Sequence, residues 1–173
     1  MIILTGYEGF IGKAFEKKLD PENLYRVGEG GADLFIEQYE DWDKVDLILH
    51  QGAISSTVET DLNKIHKYNV DFSIKLFEKA IEHQIPVKYA SSASVYGTSN
   101  NREMNPLNYY AISKLQVDYW VRDNMDKFKS IPINLKKVKF ITKKRLLCFY
   151  LSIKEASWKD ILQKQVMTSL IIF

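Results

Sequence analysis

The chain has 173 residues, 46% hydrophobic and 27% charged, the balance of one globular domain rather than of a disordered chain. Its one cysteine, Cys148, excludes an internal disulfide framework and makes a reducing cytoplasm the expected compartment. The net charge of +2 hides an asymmetry: from Asn134 to Phe173 there are nine Lys/Arg and two Asp/Glu with no Gly or Pro, while the first 133 residues carry 15 basic and 20 acidic side chains. The opening MIILTG lacks the basic flank and apolar length of a signal peptide. The longest apolar run, LLCFYLSI (146–153), is too short to span a membrane, so no membrane association is expected.

In chain order, IILT (2–5) reads as a short buried strand and leads into GYEGFIG. A helix follows, with Phe10, Ile11, Ala14, Phe15 and Leu19 at helical spacing and Pro21 marking its exit. LYRV (24–27) is a second strand ended by the glycines of GEGGAD, and VDLILH (45–50) a third. The spacing of Leu62, Ile65, Phe72, Leu76 and Ala80 predicts one long amphipathic helix over 60–84. IPVKYASS (85–92) is a further strand, and 108–125 a second amphipathic helix. Strands alternating with helices predict an α/β protein, a Rossmann-type doubly wound parallel sheet.

Gly6, Gly9 and Gly12 lie where the first strand hands over to the first helix. Chance produces that triple spacing in only about 2% of chains of this composition, so the position argues for a turn without β-carbons that lets a dinucleotide pyrophosphate approach the backbone. A plain, close-packed strand–helix turn is the blander alternative. The acid expected after the second strand, to hold the adenosine ribose, is poorly matched. Glu29 stands near that place, and Asp33 reads as a polar contact to adenine, although either also reads as a solvated loop acid. The choice between NADP and NAD is therefore not legible. Gly52 and Ala53, at the end of the third strand, leave room for a flat cofactor. His50 reads as a packed core histidine, and His66 and His83 lack the partners of a metal site.

Tyr110 and Lys114 sit one helical turn apart on one face. In a chain with ten tyrosines and twenty lysines, roughly one such pair arises by chance, and Tyr150 with Lys154 is indeed a second. Context separates them. Only the first follows a glycine turn and a strand ending in the serines of YASSASVYG. An ammonium beside a phenol favours the phenolate and makes it a usable base, a help that Tyr109, with Ser113 one turn on, does not receive.

Taken together, TGYEGFIG, HQGAISSTVETD, YASSASVYG and NYYAISK resemble, in order, the extended short-chain dehydrogenase/reductases. Within them the likeness is to the ADP-glyceromanno-heptose 6-epimerases and related nucleotide-sugar epimerases. It covers about residues 1–128. The resemblance implies NADP or NAD as cofactor, a nucleotide-diphosphate sugar as substrate, and Tyr110 as acid–base residue. It makes Lys114 the electrostatic helper and ribose ligand, and Ser92, directly before Ala93, the substrate's hydroxyl partner. Gly6, Gly9 and Gly12, with Phe10 and Ile11 between them, and Gly52, Ala53 and Asp33 would hold the cofactor. Ser55 and Ser56, with Thr57, would touch substrate. Asn69 matches the family's helix asparagine, in a substrate or a structural role. A homodimer through helices 60–84 and 108–126 is implied as well.

Beyond WVRDNMDKF (120–128) the family's next strand motif and its C-terminal substrate lobe have no counterpart. The expected organisation is a dinucleotide-binding domain over 1–133 and a basic tail over 134–173 that does not match the family. That tail reads as the end of a frameshifted or truncated gene, or as a short cap on the sheet to which IPINL adds a strand. A nucleic-acid or membrane arm is the weakest reading, since a solvated helix face explains the lysines. The functional expectation is an epimerase acting by transient oxidation of a sugar carbon, truncated in this chain. A non-catalytic dinucleotide-binding module and a dehydratase or reductase relative are the alternatives.

Overall fold

The computed structural model describes residues 1–98 and 103–129. The expected tail over 134–173, the strand IPINL and the Tyr150–Lys154 pair lie outside the described residues. Four parallel strands form one sheet: β1 (Ile2–Thr5), β2 (Leu24–Val27), β3 (Leu47–His50) and β4 (Val87–Tyr89), in the order β2-β1-β3-β4. The helices are α1 (Phe10–Glu16), α2 (Ala32–Gln38), α3 (Leu62–Ile65), α4 (Phe72–Glu82) and α5 (Tyr109–Asp123), with the π-helical segment His66–Asp71 joining α3 to α4.

Alternate residues of the buried strands feed two cores, one on each face of the sheet. Leu4, Leu47 and Leu49 pack with Leu19, Leu24 and Phe15 on the α1 face. Ile3, Ile48 and Val87 pack on the other face with Phe35 of α2, Leu76 and Phe77 of α4, and Val117 and Val121 of α5. Helices on both faces of a parallel sheet are the doubly wound arrangement expected from the alternation of elements.

Strand β1 is paired with β2 on one side and with β3 on the other. The chain therefore leaves β1 toward β2, then crosses back over it to form β3. That reversal opens a crevice beyond the carboxyl ends of β1 and β3, the place where open α/β sheets hold ligands.

Three elements differ from the sequence expectation. The glycines of GEGGAD lead directly into α2, to which the sequence reading assigns no element; Phe35 fastens it by packing against Tyr25, Tyr39 and Trp42, with Phe35 and Trp42 buried. The long helix over 60–84 is interrupted by the π-helical segment. Phe10, expected on the packed face of α1, is 76% exposed at the mouth of the crevice.

Candidate functional site

A cavity of about 890 Å³ occupies the crevice. Its floor is the first turn. Gly6 adopts φ +67°, and a β-carbon there would lie 2.6 Å from Cα and N of Gly52 on the neighbouring strand connection. At Gly12 a β-carbon would lie 2.1 Å from the Gly6 carbonyl oxygen. Neither position admits any other residue without moving backbone, so the cradle is built by the missing side chains. Gly9, Phe10 and Ile11 line the cavity beside them, and Gly52, Ala53, Ile54, Ser55 and Thr57 line the opposite wall.

Ser92, Ser94, Tyr110 and Lys114 close the far end. Asn108 caps α5, accepting a hydrogen bond from the Ala111 N–H at 2.9 Å, so Tyr110 falls in the first turn and Lys114 one turn further, on the face turned to the sheet. Lys114 is 2% exposed. Burial pulls its ammonium down to a pKa of about 8, partly opposed by the carboxylate of Asp118. Among the described residues no hydrogen bond or ion pair engages its Nζ. An ammonium that lines a cavity and has no hydrogen-bonded protein acceptor is available to an acceptor placed in that cavity.

The three serines of the strand end are separated by their partners. Ser91 Oγ donates to Asp118 Oδ2 at 2.5 Å, next to the Tyr89 hydroxyl on Oδ1 at 2.7 Å, and is thereby committed to the core. Burial pushes the Asp118 carboxyl up, against those two hydrogen bonds and Lys114. Ser92 Oγ accepts from the Ser94 N–H and lies 2.7 Å from Ser94 Oγ, leaving both hydroxyls on the cavity wall.

Behind the wall runs a chain of hydrogen bonds whose direction the donors determine. The Gly52 N–H donates to Thr5 Oγ1 at 3.0 Å, so the Thr5 hydroxyl proton is free to go to His50 Nδ1, 2.7 Å away. Ser73 Oγ donates to the Asn69 carbonyl at 2.6 Å and so accepts from His50 Nε2, at 2.8 Å. His50 is a neutral, fully packed ring; burial lowers its pKa to about 3, with Lys114 adding in the same direction. The Asn69 side chain accepts from Ile54 N–H and donates to the Ile54 carbonyl, 2.7 and 3.0 Å away, and also donates to Ser113 Oγ, which donates to the Tyr110 carbonyl. Loop 51–57 and the first turn of α5 are thus tied to one buried asparagine.

Not every residue singled out from the sequence reaches the cavity. Asn69 is wholly buried and saturated by its partners. Ser56 is exposed beside Ser55 but outside the lining. Asp33, in the first turn of α2, pairs with Lys67 Nζ at 2.7 Å, also outside the lining, whereas Glu29 is on it. Glu8, Gln51 and Asp118 are residues that sequence reasoning missed. Asp118 had a signal, four residues beyond Lys114 on the same helix; the other two had none. Among the described residues, no group of three or more His, Cys, Asp or Glu could hold a metal ion.

The lining suits a dinucleotide. The glycine cradle would be filled by any β-carbon, Lys114 offers an unmatched donor, and Gln51 Oε1, on the same wall, is a buried acceptor without a hydrogen bond. A Rossmann-type sheet with a β-carbon-free turn at its switch point and a Tyr–Lys pair across the crevice defines a dinucleotide-binding domain of the dehydrogenase/epimerase class. Residues 32–141 match the family model described as NAD dependent epimerase/dehydratase family. The chain belongs to that family. It is 33% identical over 166 residues to the ADP-L-glycero-D-manno-heptose-6-epimerase of Alkalilimnicola ehrlichii, covering 79% of this chain and 52% of that one. In fold it is similar to the Helicobacter pylori ADP-L-glycero-D-manno-heptose-6-epimerase, with TM-score 0.58 at 22% identity over 73% of this chain and 52% of that one. It is similar also to a UDP-glucuronic acid 4-epimerase from Bacillus cereus in complex with NAD, with TM-score 0.59 at 20% identity over 76% and 54% of the two chains. The chain thus spans about half the length of the relatives it matches.

Proposed function

We propose that this chain is the cofactor-holding half of a nucleotide-sugar epimerase that works by transient oxidation of a sugar carbon. The observation that carries the reading is the deeply set Lys114, whose ammonium has no hydrogen-bonded protein acceptor, at one end of a cavity whose other end is a glycine cradle. Gly6, Gly9, Gly12, Phe10, Ile11, Gly52 and Ala53 would hold the dinucleotide, with Lys114 donating to the hydroxyls of its nearer ribose. When bound, a nicotinamide dinucleotide supplies a hydride acceptor that also returns the hydride. Tyr110 takes the proton of the sugar hydroxyl and gives it back, and the Lys114 charge stabilises the phenolate between those steps. Ser92 would hold the same hydroxyl, and Ser55, on the cavity lining, would touch the sugar nucleotide. The Asp33 carboxylate, engaged by Lys67, has no part in this reading.

The reading extends to assembly and place. Leu62 of α3 and Tyr109, Ile112 and Tyr119 of α5 are large apolar residues with 39–50% of their surface exposed, on neighbouring helices that supply the pairing surface of a homodimer. No helix among the described residues is long and apolar enough to cross a membrane, and the proposed compartment is the cytoplasm.

The test is spectroscopic. The full chain, loaded with NAD or NADP and mixed with ADP- and UDP-linked sugars, should show the near-ultraviolet absorbance of a reduced nicotinamide, followed by its loss and an inverted carbon in the product. Dinucleotide binding with no response to any sugar nucleotide would leave a non-catalytic cofactor module, the second reading that the half-length match favours.

A further inference from the structure

Asp118 follows Lys114 by four residues, one turn along α5 on the same face, and both side chains are enclosed: Lys114 is 2% exposed and Asp118 8%. An ammonium and a carboxylate at that spacing can close into an ion pair. Here they do not. Asp118 Oδ1 accepts from the Tyr89 hydroxyl at 2.7 Å and Oδ2 from Ser91 Oγ at 2.5 Å, and no hydrogen bond or ion pair joins either oxygen to Lys114. The carboxylate is thus pinned to the end of β4, the strand that leads into Ser92, while the ammonium is left on the cavity wall.

The separation has an electrostatic consequence. A charge acts on its neighbour whether or not a hydrogen bond joins them, and in a poorly solvated interior that action is strong. Asp118 therefore favours the protonated form of Lys114, against the burial that lowers it to about 8, without taking any of its N–H donors. No other carboxylate stands near the ammonium. His50 of β3 is a neutral ring, and Tyr110 of α5 and Tyr68 of the segment before α4, on the cavity wall, are phenols. Glu8 and Glu29 line the cavity beside the end of β2, at the opposite edge of the sheet from β4. On the other elements packed against α5, Lys64 is engaged by Glu59, Lys67 by Asp33, His66 by Asp71 and Lys79 by Glu82, and Lys75 and Glu78 are exposed. Lys88 alternates with Val87 and Tyr89 and so turns to the other face of the sheet.

We propose that Asp118 is a positioning residue of the dinucleotide site: held by Tyr89 and Ser91, it balances the charge of Lys114 from one helical turn away, and so keeps the ammonium charged and its N–H groups free for a ligand in the cavity. The proposal rests on the reading of the cavity as a dinucleotide site. It gives the serines of the strand end separate tasks: Ser92 and Ser94 face the cavity, and Ser91 fixes the carboxylate that serves it.

The charge of Lys114 can be read directly in the full chain without ligand, from the pH titration of its side-chain carbon NMR signal, assigned by its loss in Lys114→Met. The wild-type midpoint should lie at about 8. Asp118→Asn, which retains hydrogen-bonding groups for Tyr89 and Ser91, should lower it by about one pH unit. Asp118→Glu, which keeps the charge, should hold it near the wild-type value. Calorimetric titration with NAD should then find Asp118→Asn several-fold weaker than wild type at about pH 8 and nearly equal to it at about pH 6, where the ammonium is charged in both. Circular dichroism checks the fold; if Asp118→Asn does not fold, Asp118→Ser takes its place with the same expectations. A midpoint unchanged in the folded neutral variant, or lowered as far in Asp118→Glu, would make Asp118 structural only and overturn the proposal while the dinucleotide site stands. A lowered midpoint with no change in the pH profile of NAD binding would overturn it as well. Failure of the wild type to bind NAD or NADP at any pH would remove the site and the proposal together.

Discussion

At the scale of single residues, the proposed chemistry rests on a phenol and an ammonium in contrasting surroundings. Tyr110 is half-buried on the cavity wall; Lys114 is enclosed. Tyr110→Phe should lower turnover about a thousandfold while leaving dinucleotide affinity nearly unchanged, as steady-state kinetics and calorimetry would show. Lys114→Ala should damage both. Because burial lowers the folded-state pKa of Lys114 from 10.5 to about 8, two pH effects of opposite sign follow. Dinucleotide affinity should fall as pH rises above about 8, since the donor loses its charge. Stability should instead rise between about 8 and 10.5, where the unfolded lysine still binds a proton that the folded one has released. Lys88, also lowered to about 8 by burial, adds to the stability effect in the same direction. Affinity titrations and chemical denaturation over that range separate the two, and Lys114→Met should abolish the first.

His50 gives a second residue-scale prediction. Its folded pKa of about 3 lies below the ordinary 6.5, so its contribution is complete above 6.5 and is lost as pH falls, by about 1.4 kcal/mol per pH unit. The ring should show one neutral tautomer, protonated at Nε2, with no NMR titration from about pH 8 to about pH 5. A midpoint near 6.5 would contradict the buried hydrogen-bond chain. At this scale the sequence was informative where a motif had context. Tyr110–Lys114 was separated from Tyr150–Lys154 only by what preceded it, and His50 read correctly as a core residue because it ends an apolar strand. Glu8 and Gln51 were invisible, since nothing in their spacing tells which strand end they face.

At the scale of elements, the glycine turn was the most legible feature and the π-helical segment the least. A helical period read from Leu62 to Ala80 passes over the extra residue that a π turn inserts, and Leu62 consequently ends half exposed rather than buried. The insertion turns Asn69 inward, where its side chain replaces a strand partner for both the N–H and the carbonyl of Ile54. Asn69→Ala should leave those groups without partners, lowering stability by about 1–3 kcal/mol in denaturant titrations and loosening loop 51–57 in hydrogen exchange. Gly12→Ala tests the turn. Its methyl would stand 2.1 Å from a carbonyl oxygen, so a loss of about 3 kcal/mol and of dinucleotide binding is expected. Helix α2 was missed for another reason. Seven residues after a glycine run carry little periodic signal, and the cluster of Tyr25, Phe35, Tyr39 and Trp42 that holds it assembles only in the fold.

At the scale of the molecule, the alternation of strands and helices was enough to anticipate a parallel sheet with both faces covered, but not its order. The reversal between β2 and β3 is what brings Gly6 against Gly52 and turns a glycine-rich loop into a site. The same framework leaves Leu62, Tyr109, Ile112 and Tyr119 outside the core. Light scattering should report a dimer, and Ile112→Arg with Tyr119→Arg a monomer of unchanged circular dichroism; a wild-type monomer at high concentration would contradict pairing through these helices. The most direct test of the account is a titration of the isotopically labelled full chain with NAD, followed by amide NMR. The predicted result is saturable change at Gly6, Gly9, Gly12, Gly52 and Ala53 together with Tyr110 and Lys114, tracing one ligand from the cradle to the α5 end. No change, or changes confined to residues away from the cavity, would contradict it.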